Sequence, residues 1–317
     1  MKTYPHPSGQ GTIPAVILGL MRIADMEDRA IQTLVDKAIY LGITFFDHAD
    51  IYGGSRHRSE TRFGEAIRLS ASQRDAVQIQ SKVGIWLTGP EDGFRPKSFD
   101  FSTAHIVARV EASLQALRTD YLDVLLLHRP DALMEPHEVA AAFDRLAEQG
   151  KVRHFGVSNH TPGQIALLQT CVRQPLYFNQ VQLSLTHASL ISQGMVANMM
   201  AEPQSASRDL GLLDHARLTG MILQAWSPMQ VGHRPGVLVG HPDFPVLNQR
   251  LATIAEAYGT TATAIACAWI LRHPAGMQVV MGTTNPERLL DAANGAAVTL
   301  TRDEWYSLYL AAGNPLP

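Results

Sequence analysis

The strongest constraint on this chain is a unit that keeps returning: a short β-prone run, a polar residue where it stops, a loop, then apolar residues at helical spacing. Runs at residues 16–23, 43–46, 76–82, 122–128, 154–159, 177–184, 221–227 and 278–283 read as strands. Most are apolar on both faces, as strands of a helix-covered parallel sheet are. Helical stretches alternate with them. Ile31, Leu34, Val35 and Ala38 form one stripe within 27–41, and Ile106, Val107, Val110, Leu114 and Leu117 form another within 103–117. Further helices are expected at 59–69, 136–149, from 161, at 209–218, 247–258 and 261–272, from 285, and at 302–310. Gly42, Gly150 and Gly220 follow helix ends, where a left-handed residue closes the last turn. Thr161-Pro162 and Asn285-Pro286 place a capping side chain before a proline suited to the first turn. About eight strand–helix units predict an α/β fold, a (β/α)8 TIM barrel with its active site at the C-terminal ends of the strands. Residues 1–317 are expected to form a single barrel domain, with 1–14 as an irregular lead-in or hairpin.

The competing architecture is an open doubly wound sheet, which binds dinucleotides through G-x-G-x-x-G after its first strand. Gly19-Leu20-Met21-Arg22 stands there instead, and the chain has neither a phosphate-loop nor a nucleophile-elbow motif. A net charge of −3 without a long Lys/Arg run argues against nucleic acid as a partner. The longest apolar helical stretch, 262–271, is too short to span a bilayer, and no apolar segment follows Lys2 as in a secretion signal. A cytoplasmic protein is expected, with Cys171 and Cys267 as reduced core thiols. The histidines lack metal-ligand spacing, so no metal is expected.

Chemistry gathers where strands two, three and four stop. Asp47, Lys82 and His128 end them, and Tyr52 follows Asp47 on a loop with Gly53 and Gly54. Neighbouring strands lie about 4.8 Å apart, so the first three should stand side by side with Tyr52 leaning over them. Each has an ordinary structural reading: Asp47 as a loop cap, Lys82 as an ion pair, His128 as a loop residue before Arg129-Pro130, Tyr52 as rim packing. Together they suit protonation of a carbonyl oxygen. A phenol titrating near ~10 is a weak acid; Lys82 is expected to lower that value, Asp47 to hold and balance Lys82, and His128 to orient the substrate oxygen.

The segment Phe45-Phe46-Asp47-His48-Ala49-Asp50-Ile51-Tyr52-Gly53, followed by Ser59-Glu60 and Gly64, resembles the first signature of the aldo-keto reductases. Leu122-Asp123-Val124-Leu125-Leu126-Leu127-His128-Arg129-Pro130 and Gly150-Lys151-Val152-Arg153-His154-Phe155-Gly156-Val157-Ser158-Asn159 resemble that family's middle, most of all its bacterial oxidoreductase branch. The resemblance implies a tetrad of Asp47, Tyr52, Lys82 and His128, with Tyr52 as proton donor. It also implies NADP, as NADPH, bound extended across the barrel mouth. Ser158, Asn159 and Gln180 would then hold the nicotinamide carboxamide, and Trp226 would stack on the ring. The segment Gly282-Thr283-Thr284-Asn285-Pro286-Glu287-Arg288 is similar to the family's adenine-end segment. Its capped helix start suits phosphate, with Thr283 and Arg288 toward a 2′-phosphate. Two positions depart from the pattern, Gly282 where many members have lysine and Ala292 where many have asparagine, and His48 stands where many have threonine.

The expected activity is NADP-dependent reduction of a small-molecule aldehyde or ketone to an alcohol. A nucleotide-binding regulatory subunit with little turnover and a Schiff-base aldolase using Lys82 are the alternatives. Substrate choice is expected in the loops at 84–101, with Trp86, Phe94 and Phe99, at 185–207, with Met195, Met199 and Met200, and at 228–245.

Overall fold

Eight parallel strands close into a barrel because each is apolar on the side that meets a helix and fills the interior with the alternate side chains. The computed structural model describes residues 1–87, 98–196, 210–232 and 236–316. Its strands are β1 (Thr3–Pro5), β2 (Thr12–Pro14), β3 (Val16–Gly19), β4 (Phe45–Asp47), β5 (Gln78–Val83), β6 (Ile85–Trp86), β7 (Ser98–Phe99), β8 (Leu122–Leu127), β9 (Val152–Ser158), β10 (Leu176–Gln182), β11 (Ile222–Trp226) and β12 (Gln278–Met281). The closed barrel runs β10-β11-β12-β3-β4-β5-β8-β9. The helices are α1 (Asp28–Tyr40), α2 (Arg58–Ala66), α3 (Ala71–Asp75), α4 (Thr103–Leu117), α5 (Pro136–Glu148), α6 (Pro162–Leu168), α7 (Ser189–Met195), α8 (Leu212–Thr219), α9 (Pro245–Ala257), α10 (Ala262–Leu271), α11 (Pro286–Gly295) and α12 (Arg302–Ala311). The barrel expectation holds, with boundaries displaced by a residue or a few.

Local signals explain the ends. Thr161 caps α6 in a reciprocal box with Gln164, and Pro162 occupies the first turn. Asn285 accepts the amide of Glu287 at the start of α11. Gly42 turns left-handed at φ +76° after α1. The first residues form the hairpin β1–β2, which closes the N-terminal end of the barrel. Ile13 joins Ile17, Phe45, Val124, Leu126, Phe178 and Val280 in a buried inner cluster separate from the larger core between barrel and helices. The hairpin β6–β7, short α3 and α7 carry no strong periodicity and were not expected. Phe94, Met199, Met200 and Asp209 lie outside the described residues.

Cys267 is buried as expected, but Cys171 is exposed. It sits in the turn after α6, where Val172 takes the inward position instead. Among the described residues no single helix is long and apolar enough to cross a membrane. A bent pair, Pro245–Ala257 with Ala262–Leu271, meets the criterion only jointly.

Gly64 shows why its position cannot carry a side chain. A Cβ there would lie 2.2 Å from the Ala116 carbonyl oxygen, so α2 and α4 touch backbone to backbone. Gly64→Ala must separate them and is expected to cost about 1–3 kcal/mol by the usual scale of overpacking. Urea denaturation is the check, and an unchanged midpoint would refute the close approach.

Candidate active site

Strand alternation decides which side chains meet. Phe45, Val124, Phe178 and Val280 point into the barrel floor. Two residues further along the same strands come Asp47, Leu126, Gln180 and Gly282, and this parity carries Lys82, His128, Ser158 and Trp226 to the upper end. Register supports the shared level: Asp47 pairs with Gln80, Lys82 with Leu126, and Gln180 with both Ser158 and Gln224.

Lys82 is fully buried and its ammonium is surrounded. It donates to Asp47 Oδ1 at 2.7 Å and Oδ2 at 2.8 Å, to the His48 carbonyl at 2.7 Å, and to the Tyr52 hydroxyl at 3.0 Å. Burial alone would favour the neutral amine, but Asp47 and Tyr52 outweigh it and hold the Lys82 pKa above its usual value. An ammonium so engaged is a poor nucleophile, which speaks against imine formation there. The Tyr52 ring meets His128 edge-on, with centroids 5.9 Å apart.

The expected acidification of Tyr52 is not what the surroundings produce. Burial raises its pKa more than the Lys82 ammonium lowers it, and Asp47 adds to the rise. The carboxylate that secures Lys82 also cancels much of its pull on the phenol. Tyr52 therefore keeps its proton through neutral pH.

A chain of glutamines supports Asp47 from below, of which only Gln180 was among the expected site residues. Gln80 donates to Asp47 Oδ1 at 2.6 Å and to Gln224 Oε1 at 3.0 Å; Gln180 donates to the same two atoms at 3.1 and 3.2 Å. Gln224 donates to Gln278, and Gln278 to the Pro14 carbonyl in the hairpin. Each amide's orientation is fixed by the next. The only advance signal was polar residues at inward positions of strands otherwise fit for a core.

The loop bearing Tyr52 is held from outside the barrel. Arg109 on α4 donates to Asp50 Oδ2 at 2.8 Å, while the Asp50 and Ser59 amides bond Lys82 O and Tyr52 O. Burial raises Asp50 to about 6 despite Arg109. Glu60, completely buried, takes the Ser81 hydroxyl at 2.5 Å and the Ser113 hydroxyl at 3.1 Å and lies 2.5 Å from His57 Nδ1. Burial pushes Glu60 upward, but these partners prevail and keep it ionised. His48, also fully buried, packs edge-on against Phe63 and falls to about 4, chiefly by desolvation.

A cavity of about 1000 Å³ opens above. Its walls include every candidate residue except Lys82, which lies beneath: Asp47, Tyr52, His128, Ser158, Asn159, Gln180, Trp226, Gly282, Thr283 and Arg288. Ser158 donates to the Gln180 carbonyl and accepts from Asn159 Nδ2 at 2.7 Å, and Trp226 Nε1 donates to Asn159 Oδ1 at 3.1 Å. With both amide hydrogens turned inward, Gln180 keeps its oxygen for another partner. At the opposite end Thr283 accepts the Asn285 amide beside the start of α11, with Arg288 one turn along. Arg22, outside the expected set, also lines this end of the cavity. It donates to the Gly282 carbonyl, and a Cβ at 282 would stand 3.0 Å from its Nη1, so its guanidinium fills the room left by the missing side chain.

His48 makes an acid-stability test. Unfolded, it binds a proton near ~6.5, but in the fold only near 4, so the unfolded state gains protons first as pH falls. The expected loss is about 3 kcal/mol by pH 4. Chemical denaturation of wild type and His48→Thr between pH 7 and 4 measures it; equal slopes would refute the assignment.

Known proteins agree with this architecture. The Aldo/keto reductase family profile matches residues 15–309. A 6-dehydroglucose reductase of Agrobacterium fabrum is 35% identical over 301 residues, covering 94% of this chain and 93% of its own length. The Escherichia coli oxidoreductase YdhF is 36% identical over 299 residues, covering 93% and 92%. A Klebsiella pneumoniae aldo-keto reductase, crystallised in complex with NADPH, superposes with a TM-score of 0.74 at 26% identity, covering 100% of this chain and 96% of that one. This barrel, with its candidate residues gathered at one mouth, belongs to the aldo/keto reductase family of oxidoreductases.

Proposed function

We propose that the protein reduces an aldehyde or ketone to an alcohol with NADPH, Tyr52 donating the proton. The observation that carries this is the Tyr52 hydroxyl on the cavity wall, 3.0 Å from the buried Lys82 ammonium. A carbonyl oxygen between Tyr52 and His128 receives two hydrogen bonds. Charge growing on that oxygen draws the phenolic proton, and Lys82, fixed by Asp47, stabilises the phenolate left behind. The neutralised pair then regains its proton from solvent through the mouth. The names of the Agrobacterium relative and of the NADPH-bound neighbour support this chemistry.

The donor set fits NADPH, which when bound supplies the hydride. Ser158, Asn159 and the Gln180 oxygen offer hydrogen bonds for a carboxamide, and Trp226 offers a flat face beside them. Arg288, Thr283 and the amides opening α11 face the other end of the cavity, where anions are favoured. Arg22 supplies there the cation that Gly282 lacks. Arg22→Met is expected to weaken NADPH binding about tenfold and NADH binding less, read by fluorescence titration. Equal losses would remove Arg22 from the 2′-phosphate.

The central test is a carbonyl panel with NADPH and NADH side by side. Tyr52→Phe should lower kcat at least about 100-fold while leaving NADPH affinity nearly unchanged. Tight NADPH binding without turnover across the panel would instead identify a nucleotide-binding subunit. Because burial raises the Tyr52 pKa above that of an ordinary phenol, its proton is retained across the neutral range. Reductive kcat should accordingly be flat across the neutral range, and a decline between pH 7 and 9 would count against Tyr52 as donor.

A further inference from the structure

Some arginines of this protein are paired with carboxylates. Arg62 meets Asp28 and Glu65, Arg74 meets Asp123, and Arg109 meets Asp50. Arg129 is set apart by its place: it lies on the cavity wall beside Trp226, and among the described residues no carboxylate lies within ion-pair distance of it. It follows His128 directly, is exposed on the cavity wall, and its charge acts on the Tyr52 hydroxyl. Its guanidinium carbon stands 5.5 Å from the centre of the Trp226 ring. β9 and β10 separate β8 from β11, so this contact spans the mouth above the reacting position. Asp47 is the sole acid of the described cavity wall, and it is committed to Lys82, Gln80 and Gln180. The other arginines of that wall, Arg22 and Arg288, belong to the Gly282 end.

We propose that Arg129 determines substrate specificity, and that the favoured substrate is a carbonyl compound carrying a carboxylate a few bonds from its carbonyl carbon. This rests on the reductase reading above. A carbonyl oxygen held by Tyr52 and His128 brings the adjoining part of the molecule under the guanidinium. Two parallel N–H groups of that fork match a carboxylate, and the anion supplies the countercharge that the wall lacks. Trp226 beside it limits the water competing for the pair. A neutral aldehyde reaches the same tyrosine and histidine without that interaction. The guanidinium selects the substrate; its charge also acts on Tyr52, but that effect is the same for every carbonyl compound, so only the comparison between substrates isolates the selection.

Steady-state reduction of succinic semialdehyde, butanal and D-glyceraldehyde with NADPH tests this in wild type, Arg129→Met and Arg129→Lys. Wild type should favour succinic semialdehyde over butanal in kcat/KM by at least about tenfold. Arg129→Met should abolish that preference and leave the fluorescence-measured NADPH Kd within about twofold. Arg129→Lys, which keeps the charge but not the fork, should retain part of it. A preference unchanged in Arg129→Met, an equal loss on all three aldehydes, a selective loss on glyceraldehyde, or weakened NADPH binding would each overturn the assignment. Failure of the reductase reading looks different: no aldehyde is turned over by wild type, or Tyr52→Phe remains fully active.

Discussion

The ion pair between Lys82 and Asp47 is the interaction on which this architecture turns. Two charges inside a barrel carry a large desolvation cost, tolerable only when their remaining hydrogen-bonding capacity is met. Here it is. Lys82 engages the carboxylate, the His48 carbonyl and Tyr52, while Gln80 and Gln180 complete Asp47. The support continues through Gln224 and Gln278 to the Pro14 carbonyl. The position of the phenol is thus defined by buried groups beneath it as well as by its own loop.

A second polar assembly lies on the outer side of the same strands. Ser81 and Lys82 are consecutive on β5, and alternation sends Ser81 outward to Glu60 and Lys82 inward to Asp47. Glu60 ties α2 to α4 through Ser113, Arg109 anchors Asp50, and Gly64 lets the two helices approach. Ser59, Glu60 and Gly64 therefore secure the loop of Tyr52 without facing the cavity. Packing and chemistry are joined through one strand.

The barrel was legible because its signals are local and repeated: apolar strands, striped helices, caps and closing glycines. The placing of Asp47, Lys82 and His128 was legible for the same reason, since strand ends in a barrel share one face. What escaped depended on pairs distant in sequence. Arg22 meets Gly282 across the seam where β3 joins β12, and no property of residues 19–22 announces that meeting. The inward glutamines each resemble any strand residue until closure brings them together. The acidification expected of Tyr52 does not occur, because sequence neighbours show which charges are near whereas burial and cancellation decide which of them wins. Cys171 was assigned to the core by residue type, although the turn after α6 faces outward.

The N-terminal hairpin gives the vessel a bottom. With Ile13 set among Ile17, Phe45 and Phe178, buried side chains fill the barrel axis beneath the cavity. With the floor filled, depth becomes a property of the rim: the wall residues stand at graded distances from the entrance, and the hairpin that closes one end decides which end of the barrel receives solvent.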